Sequence, residues 1–380
     1  MVNRKSLRNL DWSFILNIYI LLGMSLLVLS SASRSAPAAV TAGDPYYYFK
    51  KQLVWIAVGT IAFIFSATFN YNNLYKYANF LYGVNILVLA AVLFVGEAKK
   101  GAQRWISLGP FDFQPSEFAK LIIVIALAAF LSKRQNKLNS IKDFIAPFLF
   151  VGIPMLLILK QPDLGTALVF IAILFGMMFV AGARPLLLGG IIAAGVVIVG
   201  TALFAHFNFG VPLPLKDYQL KRLITFANPQ LDPLGSGYHV IQSMVAIGSG
   251  GLIGKGFMHG SQVQLNFLPE HHTDFIFSVV GEEFGFVGAI VLLLAYFSLL
   301  YKAIKIAADA RDIFGALIVT GVVSMFAFHL LVNMGMTMGI MPVTGIPLPL
   351  LSYGGSTMIT MMLALGLVVN VNLNRQTLMF

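Results

Sequence analysis

The chain has no cysteine, so disulfides, thiolate nucleophiles and Cys–zinc centres are excluded. Charge is scarce: Asp, Glu, Lys and Arg make up 11% of its 380 residues, where soluble domains carry roughly 25%. Acidic residues are scarcer still, 15 against 25 basic, giving a formal net charge of +10. That excess points to lipid and not to nucleic acid, because loop Lys and Arg orient membrane proteins and meet anionic headgroups. What abounds is apolar, 58% of all residues. The expectation is an all-α polytopic membrane protein, with 1–380 forming a single integral membrane domain.

Ten apolar stretches are read as spans, near 13–31, 52–69, 77–95, 116–132, 143–159, 164–181, 186–206, 274–300, 313–339 and 353–371. The first follows Arg4, Lys5 and Arg8 but is too long for a signal-peptide core, so it stays a span. The fifth contains Pro147 and Pro154 and is expected to kink or tilt. Ten spans put both termini on one side. Arg4, Lys5, Arg8, Lys133, Arg134, Lys137, Arg184, Lys302 and Lys305 fall there, so that side is read as cytoplasmic. The protein is therefore expected in the cytoplasmic membrane. The opposite side still holds Arg34, Lys50, Lys51, Lys99, Lys100, Arg104 and Lys160 in short loops. Anionic substrate groups would account for them.

The longest outward segment, 207–273, between spans seven and eight, reads as a structured extracytoplasmic loop. Leu215 to Phe226 and Tyr238 to Ile247 have helical spacing, and Asn228-Pro229 and Asp232-Pro233-Leu234-Gly235 are turn signals. The glycine run from Gly248 to Gly256 is not a phosphate loop. That pattern requires Gly at position 249 and Ser or Thr at 256, where this chain has Ser249 and Gly256. Close backbone approach is the expectation there.

The ionisable residues at outward ends carry the chemistry. Glu270, His271, His272 and Asp274 stand at the mouth of the eighth span, where charge is expensive and usually functional. Adjacent histidines rarely converge on one ion, so zinc is disfavoured. Magnesium or manganese, shared between a carboxylate and substrate phosphates, suits the residues better. Glu117 and Lys120 share one face of the fourth span, as a substrate site or as an internal ion pair. Asp163 opens the sixth span, as a helix cap or a site residue. Arg104, in Gly101-Ala102-Gln103-Arg104-Trp105, offers a planar fork for phosphate or an interfacial anchor beside Trp105. Glu282 and Glu283, inside the eighth span, are expected to face neighbouring helices. Pro342 to Ser356, with Ser352, has too much Pro and Gly for helix and reads as a rigid loop or the wall of a groove.

The segments QPSEFAK, QPDLGTAL, DPLGSGYHVIQSMVAIGSGGLIGKG, LPEHHTDFIFSVVGEEFGFVG and GIPLPLLSYGGS, in this order, resemble the SEDS family of shape, elongation, division and sporulation proteins. The leader from Arg8 to Trp12 and the DPLGSGYH segment look more like its elongation branch, RodA, than its division branch, FtsW. The resemblance implies the SEDS fold. It also implies a peptidoglycan glycosyltransferase that polymerises lipid II at the outer membrane face during elongation. Implied partners are a class B penicillin-binding protein and other elongation-complex membrane proteins. The family's essential carboxylate matches Asp274, its conserved Arg, Glu and Lys match Arg104, Glu117 and Lys120, and the Asp of its QPD motif matches Asp163. A lipid II flippase and a non-catalytic scaffold are the alternatives. The clustering of ionisable groups at one face, without a polar path across the membrane, counts against the flippase. Asp274 is expected to act as general base or as metal ligand.

Overall fold

The computed structural model describes residues 10–34, 43–99, 102–108, 111–213, 217–233 and 235–375. Of the positions read above, Arg4, Lys5, Arg8, Asn9, Lys100, Gly101, Leu215, Lys216 and Leu234 lie outside the described residues. The chain enters as three helices, α1 (Trp12–Ala32), α2 (Tyr47–Thr68) and α3 (Asn72–Val95). A small antiparallel sheet follows: β1 (Glu97–Lys99), β2 (Ala102–Leu108) and β3 (Phe111–Phe113), in the order β1-β2-β3. The fold is thus not wholly helical. These strands lie beyond the apolar runs, where an open sheet edge is tolerated.

Then come α4 (Pro115–Ser132), α5 (Ile141–Lys160), α6 (Leu164–Val180) and α7 (Pro185–Phe209). The long loop contributes α8 (Asp217–Ala227), α9 (Ser236–Gly250) and the single turn α10 (Ser261–Gln264). The chain closes with α11 (Ile276–Ala308), α12 (Ile313–Thr337) and α13 (Gly355–Leu373). Among the described residues, nine helices are long and apolar enough to cross a membrane; α6, at 17 residues, is the shorter tenth. The expected ten spans are therefore nine long helices and one near the lower limit of about 17 residues. Pro147 and Pro154 both lie inside α5.

The helices α4, α12 and α13 sit innermost, while α7 buries only Leu188 and presents Leu186, Val196 and Ile198 outward. Exposed apolar surface is no penalty against lipid, so packing relies on close approach and hydrogen bonds. The pairing of α2 with α13 uses both. A Cβ on Gly366 would lie 2.0 Å from Ser66 Oγ, and Asn370 Nδ2 donates to Ser66 O at 2.8 Å.

The eighth span differs from its expected continuous run over 274–300. Gly285 has φ 63° and ψ −160°, which breaks α11 into a buried stub, 276–284, and a crossing arm, 286–308. Only glycine adopts that backbone cheaply. The glycine run of the long loop fills the break. Phe286 N and Val287 N donate to Gly251 O and Leu252 O at 2.9 and 3.0 Å. Lys255 N and Gly256 N donate to Glu282 O and Glu283 O, both at 3.0 Å. The exchange satisfies backbone groups that the break would otherwise strand. A Cβ on Gly254 would lie 2.1 Å from Glu283 O, so the close approach expected of this run is realised.

Side chains lock the same junction. The fully buried Glu282 carboxylate accepts from Lys255 Nζ at 2.7 Å and from Gln262 N and Val263 N at the start of α10, at 2.9 and 3.2 Å. Glu283 accepts from the Ser31 hydroxyl of α1. Ser243 of α9 lies 2.7 Å from Ser278 Oγ and donates to Thr337 O at 2.7 Å. Helices α9 and α10 and the glycine run of the long loop are therefore built into the bundle along α11 and α12.

Candidate functional site

Four loop regions distant in sequence meet at one end of the bundle: β2, the turn before α6, the turn before α11, and the irregular stretch 338–354. Asp163 is the hub of the first pair. It caps α6 by accepting from Thr166 N at 3.1 Å, and Arg104 Nη1 of β2 lies 3.4 Å from its Oδ2. Gln114 Nε2 and Ser116 Oγ, at the start of α4, donate to the same oxygen at 3.4 and 3.3 Å. Capping and site roles coincide in this one residue. Arg104 Nε is buried and has no hydrogen-bond partner, a donor left unmet in the fold.

One turn into α4, Lys120 Nζ donates to Glu117 Oε1 at 2.8 Å. The side chains are only 1% and 4% exposed. Lys120 Nζ also lies 3.2 Å from His329 Nε2 on α12. The Lys120 ammonium, one helical turn beyond Ser116, is thus enclosed in the bundle instead of opening to solvent. Glu117 Oε2 is a buried acceptor without a hydrogen-bond partner. Each of these cations faces a carboxylate, so the cluster is close to charge-neutral.

Asp274 is half-buried at the entrance to the α11 stub. Its main-chain oxygen accepts from Asn333 Nδ2 of α12 at 2.8 Å. The 338–354 stretch passes it at Gly345, whose φ of 76° requires glycine; a Cβ there would lie 3.6 Å from Asp274 Oδ2. Ser352 fixes the two segments together. Its hydroxyl donates to Thr273 O at 2.6 Å and accepts from Leu348 N at 2.9 Å, while Tyr353 N donates to His272 O at 3.0 Å.

Glu270 and the histidines build this turn. Glu270 has a positive φ of 53°, and its main-chain oxygen accepts from Thr273 N and Phe275 N, both at 3.2 Å. Its carboxylate accepts from Thr273 Oγ1 at 3.2 Å. His271 is buried with its ring nitrogens 2.6 Å from Leu268 O and 2.9 Å from Ala32 O. His272 stacks on Tyr48 with centroids 4.0 Å apart. His239 of α9 stacks on Phe275, next to Asp274; burial pushes its imidazole down, opposed by the charge of Glu270. Burial likewise pushes the Tyr353 phenol up.

Among the described residues, no group of three or more His, Asp or Glu side chains is arranged to hold a metal ion. The donors at Asp274 fit magnesium or manganese only as an ion bound by one carboxylate and completed by substrate phosphates and water. The structure thus gathers Arg104 with Asp163, Glu117 with Lys120, and Glu270, His271, His272, Asp274 and Ser352. It adds His329 and Asn333, which the sequence reading passed over. The available signal was a lone imidazole and a lone amide, four residues apart, inside an apolar run.

Residues 12–377 match the FtsW/RodA/SpoVE family, described as cell cycle proteins. Peptidoglycan glycosyltransferase MrdB of Escherichia coli strain K12 is 39% identical over 375 residues, covering 97% of this chain and 95% of its own length. A chain from a solved peptidoglycan synthase complex, concerned with the coordination of polymerization and crosslinking, superposes with a TM-score of 0.78. It is 35% identical and covers 96% of this chain and 97% of its own. The rod shape determining protein RodA of Thermus thermophilus superposes with a TM-score of 0.69 at 31% identity, covering 97% and 98%.

Proposed function

The chain belongs to the FtsW/RodA/SpoVE, or SEDS, family and is a peptidoglycan glycosyltransferase; from that premise we propose that it polymerises lipid II, with Asp274 as the catalytic carboxylate. The observation that carries this reading is the convergence of Asp274, beside Gly345, with the Arg104–Asp163 and Glu117–Lys120 pairs at one end of the bundle.

The residues suit the chemistry. Asp274 takes the proton from the acceptor sugar hydroxyl as its oxygen attacks the donor's anomeric carbon. The bond from that carbon to the lipid diphosphate breaks, and negative charge grows on the leaving group. The partly exposed Arg104 guanidinium faces that charge, and the buried Lys120 ammonium adds positive potential from within the bundle. In its alternative role as metal ligand, Asp274 would hold a magnesium or manganese ion, which would supply further charge stabilisation. The Asn333 and Ser352 contacts hold the main chain at Asp274 and Thr273 in place while substrate enters.

We place the site on the outer face of the cytoplasmic membrane, both termini cytoplasmic, with elongation as its setting. The partners are a class B penicillin-binding protein and further elongation-complex proteins. The likeness to a chain of a synthase complex supports the partnership. The positive loops on the terminal side support the orientation. Reporter fusions at Arg134 and Lys221 should report opposite sides. Purified chain in detergent should convert lipid II to glycan strands without a partner. A folded chain that makes no polymer, alone or with a class B penicillin-binding protein, would reduce it to a scaffold.

A further inference from the structure

His329 and Asn333 lie one turn apart on α12 and take two consecutive carbonyls of the irregular stretch, Pro347 O and Ile346 O. Pro347 O only accepts and lies 3.0 Å from His329 Nδ1, so that nitrogen carries the proton. Nε2 is then free to accept from Lys120 Nζ at 3.2 Å. Lys120 is held from two sides, by Glu117 and by His329. Asn333 divides its two Nδ2 protons between Asp274 O and Ile346 O, each at 2.8 Å. Its Oδ1 is buried with no hydrogen-bond partner. An amide with half its bonding unmet is a poor choice for packing an apolar helix, so its value lies in what it holds.

We propose that His329 and Asn333 are positioning residues for glycosyl transfer. On one rigid helix they set the Lys120 ammonium and the Asp274 main chain at a fixed separation, with the 342–352 stretch clamped between them. The inference rests on the roles given above to Asp274 and Lys120. Proton removal at the acceptor and charge growth at the diphosphate occur together at two ends of one reacting centre. Both groups must therefore be in place at once, and a misplacement of about 1 Å costs about a hundredfold in rate. The stretch bearing Gly345 has no helix or strand of its own to supply that precision. The α12 face supplies it.

The test is a set of variants of the full chain assayed on lipid II in detergent, with kcat, KM and melting temperature read for each. His329→Leu should lower kcat about tenfold to a hundredfold with KM within about threefold. His329→Gln, which offers one donor and one acceptor, should recover most of that loss. Asn333→Asp, which keeps the shape and turns the donor into an acceptor, should lower kcat about tenfold or more. The effect of His329→Leu should shrink in Glu117→Gln/Lys120→Met, where no ammonium remains to be held and only the Pro347 O contact is lost. A His329→Leu loss that persists undiminished there overturns the proposal, as does wild-type kcat in His329→Leu or Asn333→Asp. Should His329→Leu fail to fold, His329→Gln decides alone: folded and as inactive as Glu117→Gln/Lys120→Met, it overturns the proposal. Wild-type kcat in Glu117→Gln/Lys120→Met instead overturns the role of Lys120, a result distinguishable from the others.

Discussion

Glu117 and Lys120 form a 2.8 Å ion pair inside the bundle, with both side chains almost entirely hidden from solvent. Removing one partner strands the other. Lys120→Met alone should therefore destabilise the protein by about 3–5 kcal/mol, whereas Glu117→Gln/Lys120→Met, which leaves His329 Nε2 without its donor but no buried charge unpaired, should recover most of that loss. Activity should separate from stability: the double variant should melt well above Lys120→Met yet polymerise about a hundredfold more slowly than wild type, as expected for loss of a charge-stabilising contact. Thermal unfolding in detergent beside a polymerisation assay reads both. Wild-type turnover in the double variant would assign the pair to packing.

Arg104→Ala should behave differently. Asp163 keeps Thr166 N, Gln114 Nε2 and Ser116 Oγ as donors, so the fold should hold within about 1 kcal/mol. Polymerisation should fall by about 2.7–4 kcal/mol of transition-state stabilisation, a hundredfold or more. Activity loss matched by an equal fall in melting temperature would contradict this assignment.

The spans were legible because apolar runs near twenty residues have few other solutions, and even α6 announced itself despite its 17 residues. The strands around Arg104 were not. At three to seven residues they carry too little alternation to register, and their pairing is made by partners, not by composition. The break at Gly285 hid for a related reason: a glycine in an apolar run reads as tolerable helix until a second glycine run is seen to fill the gap. For the site, residue identities were readable from motifs, and their pairing was not. Arg104 meets Asp163 across 59 positions and Lys120 meets His329 across 209, distances no local pattern encodes.

Gly285→Ala tests the broken helix. The residue would be held at φ 63° and ψ −160° with its Cβ 2.3 Å from Gly254 N. Strain of about 1–3 kcal/mol plus displacement of the 250–256 turn should lower the melting temperature by several degrees. An unchanged melting temperature would mean that α11 runs straight in solution.

Cation dependence is tested by chelation. Polymerisation by the purified chain should drop to near background in excess EDTA and return on adding magnesium or manganese, because the site offers one carboxylate and the diphosphate supplies the other oxygens. The melting temperature without lipid II should not change, since no described cluster would hold the ion alone. Full activity in EDTA would remove the cation from the mechanism.

The central claim is that Asp274 drives the transfer, and the most direct measurement is polymerisation of lipid II by Asp274→Asn. The substitution keeps the size of the side chain and leaves the main-chain contact from Asn333 intact, so the protein should fold and still bind lipid II. General-base work is worth about 10²–10⁴-fold. Glycan product should therefore fall by at least about a hundredfold, and added manganese should leave it there if Asp274 acts as the base. An Asp274→Asn protein that forms strands at the wild-type rate would contradict the account.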